Sequence, residues 1–309
     1  MNNIEITECD YTQIDSYFAL LQRVFQGYDQ AFFNWKYKTI LRLKPMIVCA
    51  KHKHQIVSFN SWIHWEFNYN GQKIIAYQSG DSATDKNYRG KGIFRSVLKH
   101  GELIAKKRNI DFLMGFPSEM SYNTFYQENY YPIASFSYHI GLLNPFRIKS
   151  ENYRNENTFF PESYLTELNR IVPTFDNNYF TWRYIDNPKN YQILKYEENN
   201  NYAVFIFIER SIKGIIEILL MDCQFSSYNE TFTKNSISFF KRCLPRKAIF
   251  IRTFFNKNSN RGQVLYNHFP LQINKKNKTF IIKPLKKEIS NIILNCNNWD
   301  IMPHCIDDL

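Results

Sequence analysis

Two glycines alternate with two basic residues at one point of the sequence, Arg89-Gly90-Lys91-Gly92, followed by Ile93 and Phe94. A strand-like segment precedes this stretch and a helix-like segment follows it. Glycine lets the backbone turn tightly and come close to a ligand. The first turn of a helix presents unpaired N–H groups and the positive end of the helix dipole. The stretch therefore predicts a binding loop for a pyrophosphate, to which Arg89 and Lys91 add charge.

The spacing differs from two other phosphate-binding motifs. A Walker loop requires Ser or Thr directly after Gly-Lys, where this chain has Gly92. The dinucleotide-binding pattern Gly-x-Gly-x-x-Gly requires a third glycine, where this chain has Arg95. Neither motif is therefore predicted.

The stretch resembles the acyl-CoA site of the GNAT superfamily of N-acyltransferases, whose signature is Arg/Gln-x-x-Gly-x-Gly/Ala after the fourth strand. Arg89 and Gly92 match this signature, and Phe94 replaces its last small residue. Residues 125–131, Phe-Tyr-Gln-Glu-Asn-Tyr-Tyr, resemble the later Phe-Tyr-Glu-Lys-x-Gly-Phe segment of the family, with Tyr130 in place of glycine. The resemblance implies the GNAT fold and an acyl-CoA co-substrate, either acetyl-CoA or a hydroxyacyl-CoA, without a metal.

The resemblance also implies roles for individual residues. Backbone groups of Ser82, Ala83 and Thr84 would hold the pantetheine arm and polarise the thioester carbonyl. The pyrophosphate would lie on the loop and on Arg95; the loop residues are Arg89, Gly90, Lys91, Gly92, Ile93 and Phe94. Asn123 matches a position that commonly contacts CoA. Tyr126 matches the residue that protonates the leaving thiolate, and its alternative is a core aromatic residue of a short helix.

The residue that accepts the amine's proton is less clearly marked. Asp81 lies just before the pantetheine contacts, and it would either take the proton or only orient the amine. His64, on the neighbouring strand, is the second candidate, with a structural role as the alternative. Glu119 and Gln78 are the expected substrate contacts, although a charge at the start of a helix would explain Glu119 equally well.

A series of predicted elements positions these residues. Asn70-Gly71 predicts a tight hairpin turn leading into a strand from Lys73 to Thr84. The apolar stripe from Gly92 to Arg108 predicts a helix, and the apolar run Ile110–Phe116 predicts a buried strand. A short helix at Ser121–Asn129 and a strand at Ala134–Leu143 follow. We therefore predict an α/β (α+β) fold with a mixed, mostly antiparallel central sheet flanked by helices.

The chain also resembles itself. Residues 29–37, Asp-Gln-Ala-Phe-Phe-Asn-Trp-Lys-Tyr, align with residues 176–184, Asp-Asn-Asn-Tyr-Phe-Thr-Trp-Arg-Tyr. Chance similarity in an aromatic-rich chain is the alternative to duplication. We predict two tandem GNAT-like copies: residues 1–148 with the acyl-CoA site, and residues 149–309 as a degenerate copy. The second copy has Arg261-Gly262-Gln263 as the nearest counterpart of the loop, and it would build the acceptor pocket, support the first copy or form a homodimer.

Composition limits the partners and the cellular location. The net charge of +11 favours anionic partners, and because the basic residues are scattered we expect phosphorylated metabolites rather than nucleic acid. The 6 cysteines form no Cys-x-x-Cys pair, so we expect free thiols and no zinc site. The N-terminus lacks the pattern of a signal peptide, and no segment has the length of a membrane span. We therefore expect a cytoplasmic protein without membrane insertion.

Within the family, the chain resembles bacterial enzymes that acylate nucleotide-linked amino sugars for surface polysaccharide, such as lipopolysaccharide O-antigen. The resemblance rests on three features in this order: Tyr-Arg-Gly-Lys-Gly-Ile-Phe, Gly-Phe-Pro-x-x-x-Ser-Tyr, and a second domain. This resemblance implies a dTDP- or UDP-linked amino-deoxy sugar as acceptor. Two alternatives stay open from the sequence. One is an aminoacyl transferase that uses charged tRNA, and the other is a non-catalytic CoA-binding scaffold.

Overall fold

We analysed a computed structural model that describes residues 4–39, 45–148 and 169–306. The strands are β1 (Ile4–Glu8), β2 (Met46–His52), β3 (Gln55–Tyr69), β4 (Gln72–Thr84), β5 (Phe112–Gly115), β6 (Tyr131–Leu142), β7 (Val172–Pro173), β8 (Gln192–Glu198), β9 (Asn201–Ile212), β10 (Ile215–Phe225), β11 (Ala248–Thr253) and β12 (Leu271–Pro284). The helices are α1 (Ile14–Val24), α2 (Gln30–Tyr37), α3 (Ile93–Lys107), α4 (Glu119–Gln127), α5 (Asn177–Phe180), α6 (Glu230–Cys243), α7 (Asn260–His268) and α8 (Ser290–Ile293).

One sheet runs through the described part of the chain, and its strand order repeats on either side of the central pair β6–β12. The order is β12-β5-β4-β3-β2-β1 toward one edge and β6-β11-β10-β9-β8 toward the other. Each arm contains one parallel pair at the same place, β4–β5 in the first and β10–β11 in the second. The predicted mixed, mostly antiparallel sheet is therefore confirmed.

The two arms exchange a strand. β6 follows β5 in the chain, but it pairs with β11 of the second arm. β12, which comes last, pairs with β5 of the first arm and with β6. Each arm is thus completed by a strand from the other half of the sequence. Residues 149–168 lie outside the described ranges, and the boundary at residue 148 stays a prediction.

The aligned repeat forms a contact between its two copies. Trp35 of α2 and Trp182, just after α5, stack with ring centroids 4.8 Å apart and planes 12° apart. The indole N–H of Trp35 donates to the carbonyl of Trp182 at 2.6 Å, and that of Trp182 donates to the carbonyl of Trp35 at 3.4 Å. This reciprocal contact is what two equivalent residues make across a twofold axis. The geometry supports the duplication that the sequence predicts.

The hairpin between β3 and β4 forms where Asn70-Gly71 predicts it. Both residues have positive φ, 52° for Asn70 and 85° for Gly71, as the mirror-image hairpin turns require. The hairpin pairs Tyr69 with Gln72 and sets the register that brings β4 back beside β3. β4 therefore ends at Thr84, directly before the glycine-containing loop.

Helix α3 covers the face of the sheet behind that loop. Its buried residues are Ile93, Val97, Leu98, Gly101 and Ala105. Gly101 faces the indole ring of Trp62 on β3 so closely that a Cβ atom would lie 2.3 Å from a ring carbon. The helix therefore packs directly on the sheet at this point. This contact fixes the position of its N-terminus.

One prediction about side chains is wrong. Cys9 and Cys49 form a disulfide rather than free thiols, because pairing of β1 with β2 brings their Cα atoms within 6.3 Å. Near the end of the described chain, Trp299 and Asp300 are buried, with 1% and 6% of their surfaces exposed. No helix in the described ranges is long and apolar enough to span a membrane.

Candidate functional site

A cavity of about 1240 Å³ opens where β4 and β5 diverge. The two strands pair only from Ala76 to Gln78 of β4, and β4 then continues alone to Thr84. The cavity is lined by β4, the loop before α3, the start of α4, the segment between α1 and α2, and a few residues of the second half. Its walls therefore combine a free strand edge with two helix N-termini.

The strand edge matches the predicted pantetheine site. Asp81, Ser82, Ala83 and Thr84 all line the cavity. Because β4 pairs with β3 on one side and β5 stops at Gly115, no described strand pairs with the other side of β4 beyond Gln78. An extended amide-containing chain could pair with this edge as an added strand does.

The loop before α3 has the geometry of an anion site. Gly90 and Gly92 have φ of 71° and 73°, and a Cβ atom at either position would meet open space. Gly92 begins α3 without a side-chain cap, so the first N–H groups of the helix remain available to a ligand. Ile93 and Phe94 also line the cavity. The loop is therefore an uncapped helix start that faces the cavity.

The basic residues of the loop differ in what they contact. Arg89 lines the cavity and donates from Nε to the Thr84 carbonyl at 3.0 Å. Arg95, which also lines it, is ion-paired with the buried carboxylate of Glu128. Lys91 instead folds back, with Nζ 2.8 Å from the Asn87 carbonyl and 5.3 Å from the centroid of the Tyr88 ring. Lys91 is thus not placed at the cavity wall.

Asp81 is the centre of a buried polar cluster. Its Oδ2 accepts hydrogen bonds from the hydroxyls of Tyr28 at 2.6 Å and Tyr37 at 2.7 Å. The ammonium of Lys36 lies 3.0 Å from the same oxygen, and its side chain is fully buried. The Asp81 side chain is only 9% exposed. The cluster thus holds one carboxylate oxygen firmly and directs Asp81 to the cavity.

Tyr28, Lys36 and Tyr37 are site residues that the sequence did not predict. The four aromatic residues of α2 are all buried, as in an ordinary core helix. The available signal was the repeat itself, because a basic residue, Lys36 or Arg183, stands between Trp and Tyr in both copies. A basic residue kept inside an aromatic helix indicates a buried charge partner.

Helix α4 presents a different face to the cavity from the one that the resemblance implies. Tyr126 is 60% exposed, stacks on Tyr122, and does not line the cavity; Asn123 is also exposed and outside it. The residues of α4 that line it are Met120, Ser121, Thr124, Phe125 and Gln127. Because Thr124 faces the cavity, Tyr126, about 200° further round the helix, points away. The structure therefore brings neither Tyr126 nor Asn123 to the cavity wall, and their roles stay predictions.

The remaining predicted residues fall into two groups. Gln78 lines the cavity, is 1% exposed and donates from Nε2 to the Cys305 carbonyl at 3.0 Å. His64 lies outside the cavity lining, edge-on to the ring of Tyr77 at 6.0 Å. Glu119 is the first residue of α4, exposed and outside the lining as well. The structure therefore brings Gln78 to the cavity but neither His64 nor Glu119.

The second half contributes to the same cavity. Pro188, Lys189 and Ile306 line it. The ammonium of Lys189 lies 4.6 Å from the centroid of the Phe32 ring, which is also in the lining. The wall of the cavity thus includes residues that are distant in sequence from the glycine-containing loop.

Comparison with known families and structures agrees with this geometry. Residues 5–131 match the family model described as Acetyltransferase (GNAT) domain. The match covers less than half of the chain, so it assigns a GNAT domain to the first half only. No curated protein sequence matches the chain.

Solved structures extend the likeness over both halves. A conserved protein of unknown function from Enterococcus faecalis V583, described as a probable N-acyltransferase, superposes with a TM-score of 0.68 at 11% identity, covering 92% of this chain and 73% of that one. A GCN5-related N-acetyltransferase from Anabaena variabilis ATCC 29413 gives 0.65 at 10%, with coverages of 92% and 73%. N-myristoyltransferase from Saccharomyces cerevisiae with bound myristoyl-CoA gives 0.54 at 12%, with coverages of 92% and 79%. At these identities the likeness shows the fold alone.

Proposed function

We propose that this protein transfers the acyl group of an acyl-CoA to an amine. One observation carries the proposal: the free edge of β4 and the uncapped, glycine-started helix α3 border a single cavity. The two features suit the two unlike parts of coenzyme A, an amide-containing arm and a pyrophosphate. The GNAT domain match over residues 5–131 supports the same co-substrate.

In the proposed complex, the pyrophosphate accepts hydrogen bonds from the backbone N–H groups at Gly92 and the first turn of α3. Arg89 and Arg95 add positive charge beside it. The pantetheine arm pairs with the open edge of β4 from Asp81 to Thr84, and an N–H of that edge polarises the thioester carbonyl. The acyl carbon then lies near the point where β4 and β5 separate. Gln78 and Asp81 border this point.

The reaction needs a neutral amine and a proton for the leaving group. The amine nitrogen attacks the thioester carbon, a C–N bond forms, and the C–S bond breaks to release the thiolate of coenzyme A. The attacking nitrogen loses a proton, and the sulfur gains one. We assign the first role to Asp81, because it lines the cavity and both tyrosines bond its Oδ2. We assign the second to Tyr28, the tyrosine that lines the cavity beside Asp81.

The proposed acceptor is a dTDP- or UDP-linked amino-deoxy sugar. The cavity of about 1240 Å³ exceeds what the acyl-bearing end of coenzyme A requires, which leaves room for a large acceptor. Phe25 and Phe32 in the lining offer aromatic surface for a base, and Lys189 offers a charge for a second diphosphate. These residues support the nucleotide sugar proposed from the sequence over a small free amine.

Titration with coenzyme A in a calorimeter tests the cofactor site. We expect Gly92→Val to weaken binding at least tenfold, because a β-branched residue cannot adopt φ near 73° and would displace the loop. Gly214→Val is the matched control, since Gly214 has φ of 81°, equally open space, and a place in the β9–β10 hairpin. Equal loss in both variants, or no heat with the unmodified protein, would contradict the proposal.

Thiol release tests the reaction. The protein is incubated with acetyl-CoA or longer acyl-CoAs and with a panel of dTDP- and UDP-linked amino sugars, each paired with its hydroxyl analogue. Turnover with the amine and none with the alcohol is the expected result. Turnover with simple amines alone would support acyl transfer to an amine and contradict a nucleotide sugar as the acceptor. Binding of coenzyme A without turnover on any amine would favour the alternative function, a non-catalytic CoA-binding scaffold.

A further inference from the structure

A buried ionic cluster occupies the second half. The guanidinium of Arg261 lies 2.8 Å from a carboxylate oxygen of Asp222 and 2.9 Å from one of Asp300. The Arg261 side chain is 4% exposed and that of Asp222 is 1% exposed. Burial alone would lower the pKa of Arg261, but the charges of Asp300 and Asp222 raise it well above its usual value. Arg261, which the sequence suggests as part of a counterpart of the Arg89–Phe94 loop, lies inside α7.

This cluster is the counterpart of the Asp81 cluster in the other arm of the sheet. The hydroxyl of Tyr184 donates to Asp222 at 3.4 Å, as that of Tyr37 donates to Asp81 at 2.7 Å. Tyr184 and Tyr37 are equivalent positions of the aligned repeat. Both aspartates lie at a bulge in the equivalent strand, β10 or β4. Asp222 and Asp81 are therefore equivalent residues.

The two clusters differ in the helix that lies over each aspartate. α4 and α7 are equivalent, with 9 residues each and the same offset in sequence as the two aspartates. The second residue of α7 is Arg261, which reaches Asp222. The second residue of α4 is Met120, which lines the cavity and is 84% exposed. Among the described residues, α4 thus places no basic side chain where α7 places Arg261, and the cation that pairs with Asp81, Lys36, comes from α2 instead.

Asp81 retains one carboxylate oxygen for such a cation. Its side chain is about nine-tenths buried and lines the cavity, and the Tyr28 and Tyr37 hydrogen bonds and the Lys36 ion pair all reach Oδ2. Asp29 also lines the cavity, but its carboxylate caps the start of α2 by accepting from the N–H groups of Ala31 and Phe32. Asp81 is therefore the carboxylate of the first arm that corresponds to Asp222.

We infer that the cavity binds an organic cation against Asp81, at the point that the Arg261 guanidinium occupies in the second half. The acceptor's amino group arrives there as an ammonium ion, and small guanidinium compounds bind at the same point and exclude it. The statement about the acceptor rests on the proposed function. The cation site itself rests only on the comparison of the two arms.

Methylguanidinium chloride is the probe. Its binding to the purified protein, with and without saturating coenzyme A, is followed by saturation-transfer NMR at constant ionic strength. We expect saturable binding of methylguanidinium. Asp81→Asn should weaken it at least tenfold, which corresponds to about 1.4 kcal/mol of binding free energy. N-methylurea, which has the same shape and no charge, should not bind. Asp85→Asn is the control, because Asp85 follows the same strand, pairs with Arg23 and lies outside the lining.

A second variant tests the inference without disturbing the buried cluster. Met120→Arg restores in the first arm the arginine that the second arm has. Because Met120 is exposed, the fold should tolerate the change. We expect methylguanidinium binding and acceptor turnover to be lost while coenzyme A still binds. Met120→Gln, similar in length and uncharged, should retain both.

The outcomes separate the two proposals. Methylguanidinium binding that is equal in Asp81→Asn, or matched by N-methylurea, overturns the cation site. So does a Met120→Arg protein that binds the probe as well as the Met120→Gln protein does. Failure of coenzyme A to bind contradicts the proposed function, but it leaves the probe experiment on the free protein unaffected.

Discussion

The geometry and the family resemblance indicate different tyrosines as the residue that protonates the leaving thiolate. Tyr28 lines the cavity and donates to Asp81 at 2.6 Å, whereas Tyr126 is exposed on the far face of α4. We expect Tyr28→Phe to lower kcat about tenfold or more, because a hydrogen bond to a charged group contributes about 1.5–3 kcal/mol. Tyr126→Phe should leave kcat within about twofold. Initial rates of thiol release measure both, with coenzyme A affinity as the control.

If Tyr126→Phe collapses turnover and Tyr28→Phe does not, the acid of the reaction is the residue that the family motif marks. The helix α4 would then have to rotate when substrates bind.

At the scale of residues, the sequence predicted the backbone that lines the cavity better than the side chains that line it. Gly90, Gly92 and the strand from Ser82 to Thr84 are at the cavity because glycine conformation and strand edge are local properties. Lys36 could not be found this way. Its partner, Asp81, is distant in sequence, and only the folded register of α2 against β4 brings the two charges within 3.0 Å.

Elements were predicted closely where their signals are local. The helix expected at Gly92–Arg108 is α3, Ile93–Lys107, and the strand expected at Lys73–Thr84 is β4, Gln72–Thr84. α4 begins at Glu119, two residues before the predicted start, and its phase decides which side chains face the cavity. Exchange of β6 and β12 could not be read from the sequence, because strand partners far apart in the chain leave no periodic signal.

The segment 299–306 is an element with a pH-dependent anchor. Its turn Pro303–Cys305 packs on β10, and Arg183 donates to the carbonyls of His304 and Ile306 at 2.9 and 2.7 Å. Burial lowers the pKa of His304 to about 4, from 6.5, against the opposing charge of Asp222. Between pH 6.5 and 4, His304 is therefore protonated in the unfolded chain and neutral in the folded chain.

We expect the free energy of unfolding to fall as the pH drops from about 6.5 to about 4, by about 3 kcal/mol from this residue. Urea denaturation at a series of pH values measures it. His304→Gln should lack this part of the pH dependence, and His268→Gln, at the end of α7, is the comparison. An identical slope in the His304→Gln protein would show that other groups cause it.

At the scale of the whole molecule, strand exchange makes the halves interdependent. β12 supplies Phe280, Ile281 and Ile282 to the cores, and each is at most 1% exposed. Without β12, β5 and β6 would each lose a neighbour and expose an unpaired edge. The predicted boundary at residue 148 therefore divides the sequence without dividing the structure.

We expect residues 1–148 expressed alone to aggregate or to unfold without a cooperative transition. Coexpression with residues 149–309 should yield a soluble complex that binds coenzyme A. Size-exclusion chromatography and urea denaturation distinguish the outcomes. A monomeric, cooperatively unfolding fragment 1–148 that binds coenzyme A would mean that β12 is dispensable.

The same exchange of strands delays the completion of the sheet while the chain is being synthesised. β12 begins at Leu271, roughly 130 residues after β6 ends. At the usual speed of about 5–20 residues per second, the ribosome takes roughly 6–26 s to synthesise this interval. During that time β5 and β6 have been synthesised and their partner strand has not. Chaperones that shield extended edges should therefore be needed at mid-synthesis rather than after release.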